Sequence, residues 1–260
     1  MVFDPIPAAQ ALRQIRLERS LVGPLPDGIA PRSEAEGAAV QVALAGLVGA
    51  VPPAGFKIGA TGRRMQDYLG IAAPIAGFMR VQDIYHGHAE LPFADFIKPG
   101  VECEVAVRLV RDLPPGQCSP EQALAAVGEF FAGIEIVENR YGDLKALGTP
   151  ALLADQMYHC AAVIGDRHDV DWRGLGIGAL RGWISVADGA ADEGVTSDLL
   201  GHPLNGLAWL AGSAEAAAFG GLKAGQVVML GSVTPPIWLT GPASVTVCFP
   251  PLPAVTVRLG

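Results

Sequence analysis

Val101-Glu102-Cys103-Glu104-Val105-Ala106-Val107 is an apolar run interrupted by two glutamates one residue apart. Side chains of a strand alternate between faces, so Glu102 and Glu104 share one face. Cys103, Val105, Val107 and Leu109 form the opposite, apolar face. Two carboxylates held side by side repel and lose solvation, and a core strand gains nothing from them unless a cation neutralises them. A hard divalent ion such as Mg2+ or Mn2+ takes oxygen donors of this kind. The competing reading is a solvated strand face.

A third carboxylate bears on that choice. Gly133-Ile134-Glu135-Ile136-Val137-Glu138 is a second β-branched run that reads as a strand, with Glu135 between two isoleucines. Glu138 falls nearer the strand end, where a solvent-facing or salt-bridged role is expected. Glu102, Glu104 and Glu135 together could supply an octahedral metal while leaving positions for water and substrate.

Outward from these strands, the chain predicts a mixed α+β fold. Residues 7–21 have helical spacing, and Ser33-Glu34-Ala35-Glu36 is a capping box opening a helix to about Gly49, stopped by Pro52-Pro53. Strand-like segments follow at 56–59, 84–91 and 101–110. Ser119-Pro120-Glu121-Gln122 starts another helix, which leads into the Glu135 strand. Later strands are expected at 161–164, 183–187, 227–230, 245–249 and 255–259, with one helix over about 203–219. Strands and helices do not alternate regularly, so a doubly wound sheet is not expected. A curled or barrel-like sheet in the second part fits the pattern, with a division into residues 1–54, helical, and 55–260, carrying the sheet.

Composition narrows the function. The chain has 260 residues, half of them hydrophobic and 17% charged, which is enough to bury a large core. A net charge of -8 without a basic run argues against nucleic acid as a partner. The apolar stretch 38–53 is too short and too broken by glycine and proline to span a bilayer, and no signal peptide is evident, so a cytoplasmic protein is expected. Four scattered cysteines lack zinc spacing. No Gly-x-Ser-x-Gly elbow supports a serine hydrolase. His86 and His88 stand at strand spacing as a possible ligand pair, but nothing nearby completes a zinc set, so a solvent-facing pair is expected.

Several short motifs occur in order: Gly55-Phe56-Lys57-Ile58-Gly59, Met65-Gln66-Asp67-Tyr68-Leu69-Gly70, Lys98-Pro99-Gly100-Val101-Glu102-Cys103-Glu104, Ile134-Glu135-Ile136-Val137, Ala154-Asp155-Gln156, Leu200-Gly201-His202-Pro203-Leu204-Asn205 and Leu222-Lys223-Ala224-Gly225. Together they resemble the fumarylacetoacetate hydrolase superfamily, in particular its 2-keto-4-pentenoate hydratase and 4-oxalocrotonate decarboxylase branch. The resemblance implies a mixed β-roll with outer helices and an N-terminal helical region. It also implies an Mg2+ or Mn2+ site at Glu102, Glu104 and Glu135 that grips the head of a small 2-oxo acid. The activity implied is a metal-dependent lyase of aromatic catabolism that adds water to 2-hydroxy-2,4-dienoates. The alternatives are a decarboxylase, an acylpyruvate hydrolase, or a non-catalytic subunit of a complex with a pathway enzyme. A homo-oligomer is expected on the same ground.

By the same resemblance Lys57 anchors substrate or moves a proton, and Asp83 acts as general acid or base. Asp155 and Gln156 belong to the pocket segment. Ser232 either donates a hydrogen bond to substrate or caps its turn. The sequence departs from the branch where hydratases read Ala-Asp-Asn-Ala-Ser; here stands Ala154-Asp155-Gln156-Met157-Tyr158-His159, with more bulk.

Overall fold

The computed structural model describes residues 2–143, 147–187, 189 and 191–260. The helices are α1 (Ile6–Glu18), α2 (Glu34–Leu47), α3 (Arg63–Leu69), α4 (Pro120–Ala126), α5 (Gly148–Ala154), α6 (Pro203–Ala211) and α7 (Ala214–Ala218). The strands are β1 (Gly55–Gly59), β2 (Ile75–Met79), β3 (Ile84–His86), β4 (His88–Leu91), β5 (Pro99–Leu109), β6 (Val127–Glu138), β7 (His159–Ile164), β8 (Arg181–Val186), β9 (Ala191–Val195), β10 (Val227–Ser232), β11 (Ile237–Trp238), β12 (Ala243–Cys248) and β13 (Val255–Leu259).

Two sheets result among the described residues. The larger runs β2-β1-β10-β5-β6-β7-β3, with β11 added on β5, and the smaller runs β4-β13-β12-β8-β9. The larger sheet is curled and mixes parallel and antiparallel pairs, in agreement with the expected α+β roll. Its spine is the long antiparallel pair β5–β6, which sets Glu102 directly opposite Glu135 and Glu104 opposite Gly133.

The two faces of this sheet differ as the alternation in β5 requires. Val101, Cys103, Val105, Val107 and Leu109 join the main core, which also holds residues of α1, α2, α6 and the smaller sheet. Each fully buried valine there contributes about 1.5–3 kcal/mol, enough to offset polar groups on the other face. That other face carries a separate small apolar cluster of Met79, Ala106, Phe131, Ala162, Ile164, Val227 and Met229. Register places Lys57 opposite Met229, and Met229 opposite Ala106, so Lys57, Glu102, Glu104 and Glu135 all lie on the face of this cluster.

Local signals place most helix starts. Ser33 accepts from the Glu36 N–H, while Glu36 reaches back to the Arg32 N–H, one residue before the expected partner. Ser119 and Gln122 form the full reciprocal capping box of α4. The single helix expected over 203–219 is two, because Ser213 caps a new helix by accepting from the Ala216 N–H. The strand expected over 84–91 is also two. It breaks at Gly87, where φ is +59°, and the halves enter different sheets, β3 beside β7 and β4 beside β13. His86 and His88 therefore do not form a ligand pair on one strand. Strands β2 and β9 were not expected from the sequence.

Candidate metal and substrate site

Glu102, Glu104 and Glu135 offer carboxylate oxygens that all lie within 4.8 Å of one another. Glu104 and Glu135 are buried and Glu102 is partly exposed, so the cluster opens to solvent on the Glu102 side. Burial, repulsion from Glu135 and the opposing pull of Lys57 leave the Glu102 carboxyl pushed up to about 8. Burial and the charges of Glu135 and Glu102 also push Glu104 well above the carboxylate range, against Lys57 and the Gly231 N–H, which donates to Glu104 Oε2 at 3.0 Å. Glu135 goes the other way: burial would raise it, but Lys57 and His159 hold it below its ordinary value.

Lys57, in β1, is 1% exposed. Its Nζ lies 3.3 Å from Glu135 Oε1 and donates to the Met157 carbonyl at 2.8 Å. An ammonium has three donors, so one N–H remains. Glu135 Oε1 is also 2.8 Å from His159 Nδ1, whereas Glu135 Oε2 is buried with no hydrogen-bond partner among the described residues. An unpaired carboxylate oxygen inside a protein is costly. One ammonium stands against three carboxylates, and the oxygen-only donor set is of the kind hard divalent cations take. The residues present thus fit a Mg2+ or Mn2+ ion.

The pocket segment is folded unusually. Gln156, Met157 and Tyr158 have φ of 56°, 48° and 67°, three successive non-glycine residues in the left-handed region. Such a turn costs about 1–2 kcal/mol per residue and persists only where surroundings impose it. The Gln156 amide donates to the Phe78 carbonyl at 2.5 Å, and Lys57 holds the Met157 carbonyl. Gln156 lies over Gly77, the residue opposite Lys57, so it stands beside the cluster, and its Oε1 has no partner among the described residues.

Other residues singled out in the sequence lie elsewhere. Both oxygens of Asp83 are taken by Arg80, at 2.5 and 2.8 Å, and among the described residues nothing ties Asp83 to Lys57 or the carboxylates. Asp155 is fully buried, with Oδ1 on Arg16 at 2.5 Å and Oδ2 on Arg140 at 3.0 Å and the Tyr141 hydroxyl at 3.1 Å. Burial would raise Asp155, and the two guanidiniums override it, so the carboxyl stays below its usual range. Asp155 stands immediately before the turn, and its contacts tie the turn to Arg16, Arg140 and Tyr141. The Ser232 hydroxyl lies 2.7 Å from the Thr234 carbonyl and accepts from the Thr234 N–H at 3.3 Å, which is the capping role. Glu138 is buried and salt-bridged to Arg140 at 3.2 Å.

The sequence does not single out His159, whose ring meets Glu135. Its only sequence signal was adjacency to the atypical Gln156-Met157-Tyr158 stretch.

No family model matches the chain. Its fold is that of 4-oxalocrotonate decarboxylase from Pseudomonas putida G7, solved with magnesium and adipate, at a TM-score of 0.88, 21% identity and coverage of 98% of this chain and 97% of that one. A 2-hydroxyhexa-2,4-dienoate hydratase of Comamonas testosteroni is 34% identical over 184 residues, 70% of this chain and 68% of the relative. A 4-oxalocrotonate decarboxylase of a Pseudomonas species is 30% identical over 184 residues, 69% of this chain and 68% of the relative. These relatives, at least 30% identical and covered over two thirds of their length, show the family: the chain is a member of the fumarylacetoacetate hydrolase superfamily. Within it, the chain belongs to the branch of 2-keto-4-pentenoate hydratases and 4-oxalocrotonate decarboxylases.

Proposed function

We propose that this protein is a divalent-metal-dependent hydro-lyase that adds water to 2-hydroxy-2,4-dienoate or 2-oxo-enoate substrates in aromatic catabolism. The observation that carries the proposal is the set of three carboxylates within 4.8 Å, next to a buried lysine. Glu102, Glu104 and Glu135 would hold Mg2+ or Mn2+. When bound, the cation supplies a Lewis acid for the oxygens of a 2-oxo acid.

The chain's own groups do the rest. Lys57, kept in place by Met157 and Glu135, has one N–H left to hold the substrate carboxylate or to carry a proton. Gln156 Oε1, buried with no partner among the described residues, would accept a hydrogen bond from a substrate hydroxyl. The apolar cluster on the same sheet face as the carboxylates keeps that part of the face dry, which strengthens the charge interactions beside it. We assign the proton role to Lys57 in preference to Asp83, whose two oxygens are occupied by Arg80. Ser232 shapes the turn whose Gly231 N–H meets Glu104.

Decarboxylation is the second reading, because relatives named for each activity match at similar identity, 34% and 30%. The assay is ultraviolet loss of 2-hydroxypenta-2,4-dienoate and its dioic homologues, with Mn2+ or with chelator, and with carbon dioxide measured alongside. Metal-dependent loss without carbon dioxide establishes the hydratase, and loss with carbon dioxide the decarboxylase. No turnover of any of them sinks both and leaves an acylpyruvate hydrolase or a non-catalytic partner subunit. A homo-oligomer is proposed on the resemblance, and a cytoplasmic location and the division at residues 54/55 are proposed on the sequence pattern alone. Among the described residues no helix is long and apolar enough to cross a membrane.

A further inference from the structure

We infer that His159 is a positioning residue for the third carboxylate: its ring holds Glu135 Oε1 so that Glu135 Oε2 is the oxygen presented to the cation. This rests on the metal reading of Glu102, Glu104 and Glu135. Glu135 has two oxygens in different situations. Oε1 meets His159 Nδ1 at 2.8 Å and Lys57 Nζ at 3.3 Å, while Oε2 is buried and has no hydrogen-bond partner among the described residues. A carboxylate pinned through one oxygen can rotate only at a loss of both contacts, so Oε2 stays aimed.

The mount is itself fixed. His159 is 2% exposed, and Arg140 Nη2 donates to its carbonyl at 3.1 Å. Two irregularities bring the ring to this face. Ala162 pairs with Glu135 and Ala161 with Ile136, but Val137 then pairs with His159, skipping Cys160. Regular alternation from Ala162 would have turned residue 159 away from Glu135; the extra residue turns it back, as bulges do. Immediately before it stands the left-handed turn at 156–158. Lys57 cannot do this alone, because an ammonium on a flexible stem supplies charge without direction, whereas a planar imidazole supplies direction. Partners of this kind, one bond removed from a metal, set ligand orientation and affinity.

The test uses the full-length protein stripped by chelator and titrated with Mn2+ in a calorimeter. His159→Ala is expected to weaken Mn2+ binding about 10- to 100-fold. His159→Asn, whose amide can donate from the Nδ1 position, is expected to bind within about threefold of the parent. A merely structural role would not distinguish the two by whether they donate. His159→Ala binding within about twofold of the parent would overturn the inference, as would Asn binding no better than Ala. If the alanine variant does not fold, His159→Asn alone decides, and weakening beyond about tenfold overturns the proposal. Glu102→Gln run in parallel keeps the two readings apart. Its failure to weaken Mn2+ removes the metal site and the role of His159 with it, whereas loss there with no effect at His159 removes only the latter.

Discussion

Lys57 Nζ and Glu135 Oε1 lie 3.3 Å apart with side chains 1% and 0% exposed. Burying such a pair costs several kcal/mol of desolvation per ion, which mutual attraction repays only with good geometry and further hydrogen bonds. Here Met157 and His159 supply those bonds. The pair is thus weak evidence for stability as such, and strong evidence that a charged lysine and a charged carboxylate are wanted at this point.

Lys57→Met should therefore separate chemistry from metal binding. Turnover of the dienoate should fall about 10²- to 10⁴-fold, as for loss of a proton-transfer group. Mn2+ binding measured by calorimetry should persist. Turnover within about threefold of the parent would remove Lys57 from the reaction.

The carboxylates predict an unusual pH response in the metal-free protein. Glu102 rises from 4.5 to about 8 on folding, and Glu104 rises well above 4.5. Across that interval the folded state binds more protons than the unfolded one, so stability falls as pH rises from about 5 to 8. Glu135 and Asp155 are shifted downward and act only below their ordinary values, outside the window. Melting of chelated protein should show the decline, and saturating Mn2+ should flatten it. Since binding must displace the Glu102 proton, Mn2+ affinity should increase with pH up to about 8. A chelated protein equally stable at pH 5 and 8 would count against the clustered geometry.

Gly77 is opposite Lys57, and a Cβ there would sit 2.7 Å from Gln156 Cβ and 2.9 Å from the Gln156 carbonyl. Gly77→Ala must push the left-handed turn outward. We expect a loss of about 1–3 kcal/mol in urea unfolding, together with reduced turnover because Lys57 loses the Met157 carbonyl. Unchanged stability and activity would show that the turn yields freely.

Asp155 separates two arginines. Arg140 is 2% exposed and Arg16 20%. Arg140→Ala leaves Asp155 and Glu138 buried without that partner and should cost about 3–5 kcal/mol. Arg16→Ala should cost less, about 1–3 kcal/mol, because the buried Asp155 keeps Arg140 and Tyr141. Denaturant midpoints of the two variants check the order, and equal losses would mean that α1 is integral to the support of the turn.

Much of the architecture was legible in local pattern. The helix starts at Ser33 and Ser119 were read from capping residues, because a cap is completed within four residues. The two faces of β5 were read from alternation alone. Breaks proved harder: Gly87 splits one strand-like run between two sheets, and Ser213 splits one helix, each by a one- or two-residue interruption flanked by residues of unchanged propensity. At the site, the resemblance supplied Lys57 and the three glutamates, which the structure brings together. It also supplied Asp83 and Asp155, which the structure ties to arginines instead.

Period-two geometry needs no partner, so the chain alone placed Glu102 and Glu104 on one face, and the apolar run around Glu135 marked a strand able to lie beside them. Which residue stands across from which is another matter. Glu102 facing Glu135, Lys57 reaching Glu135 from β1, and His159 turned inward by a skipped residue in β7 all depend on strand register and on a strained turn. Those are settled by packing between segments far apart in the chain, where burial of both sheet faces outweighs the local cost of left-handed backbone and crowded charge.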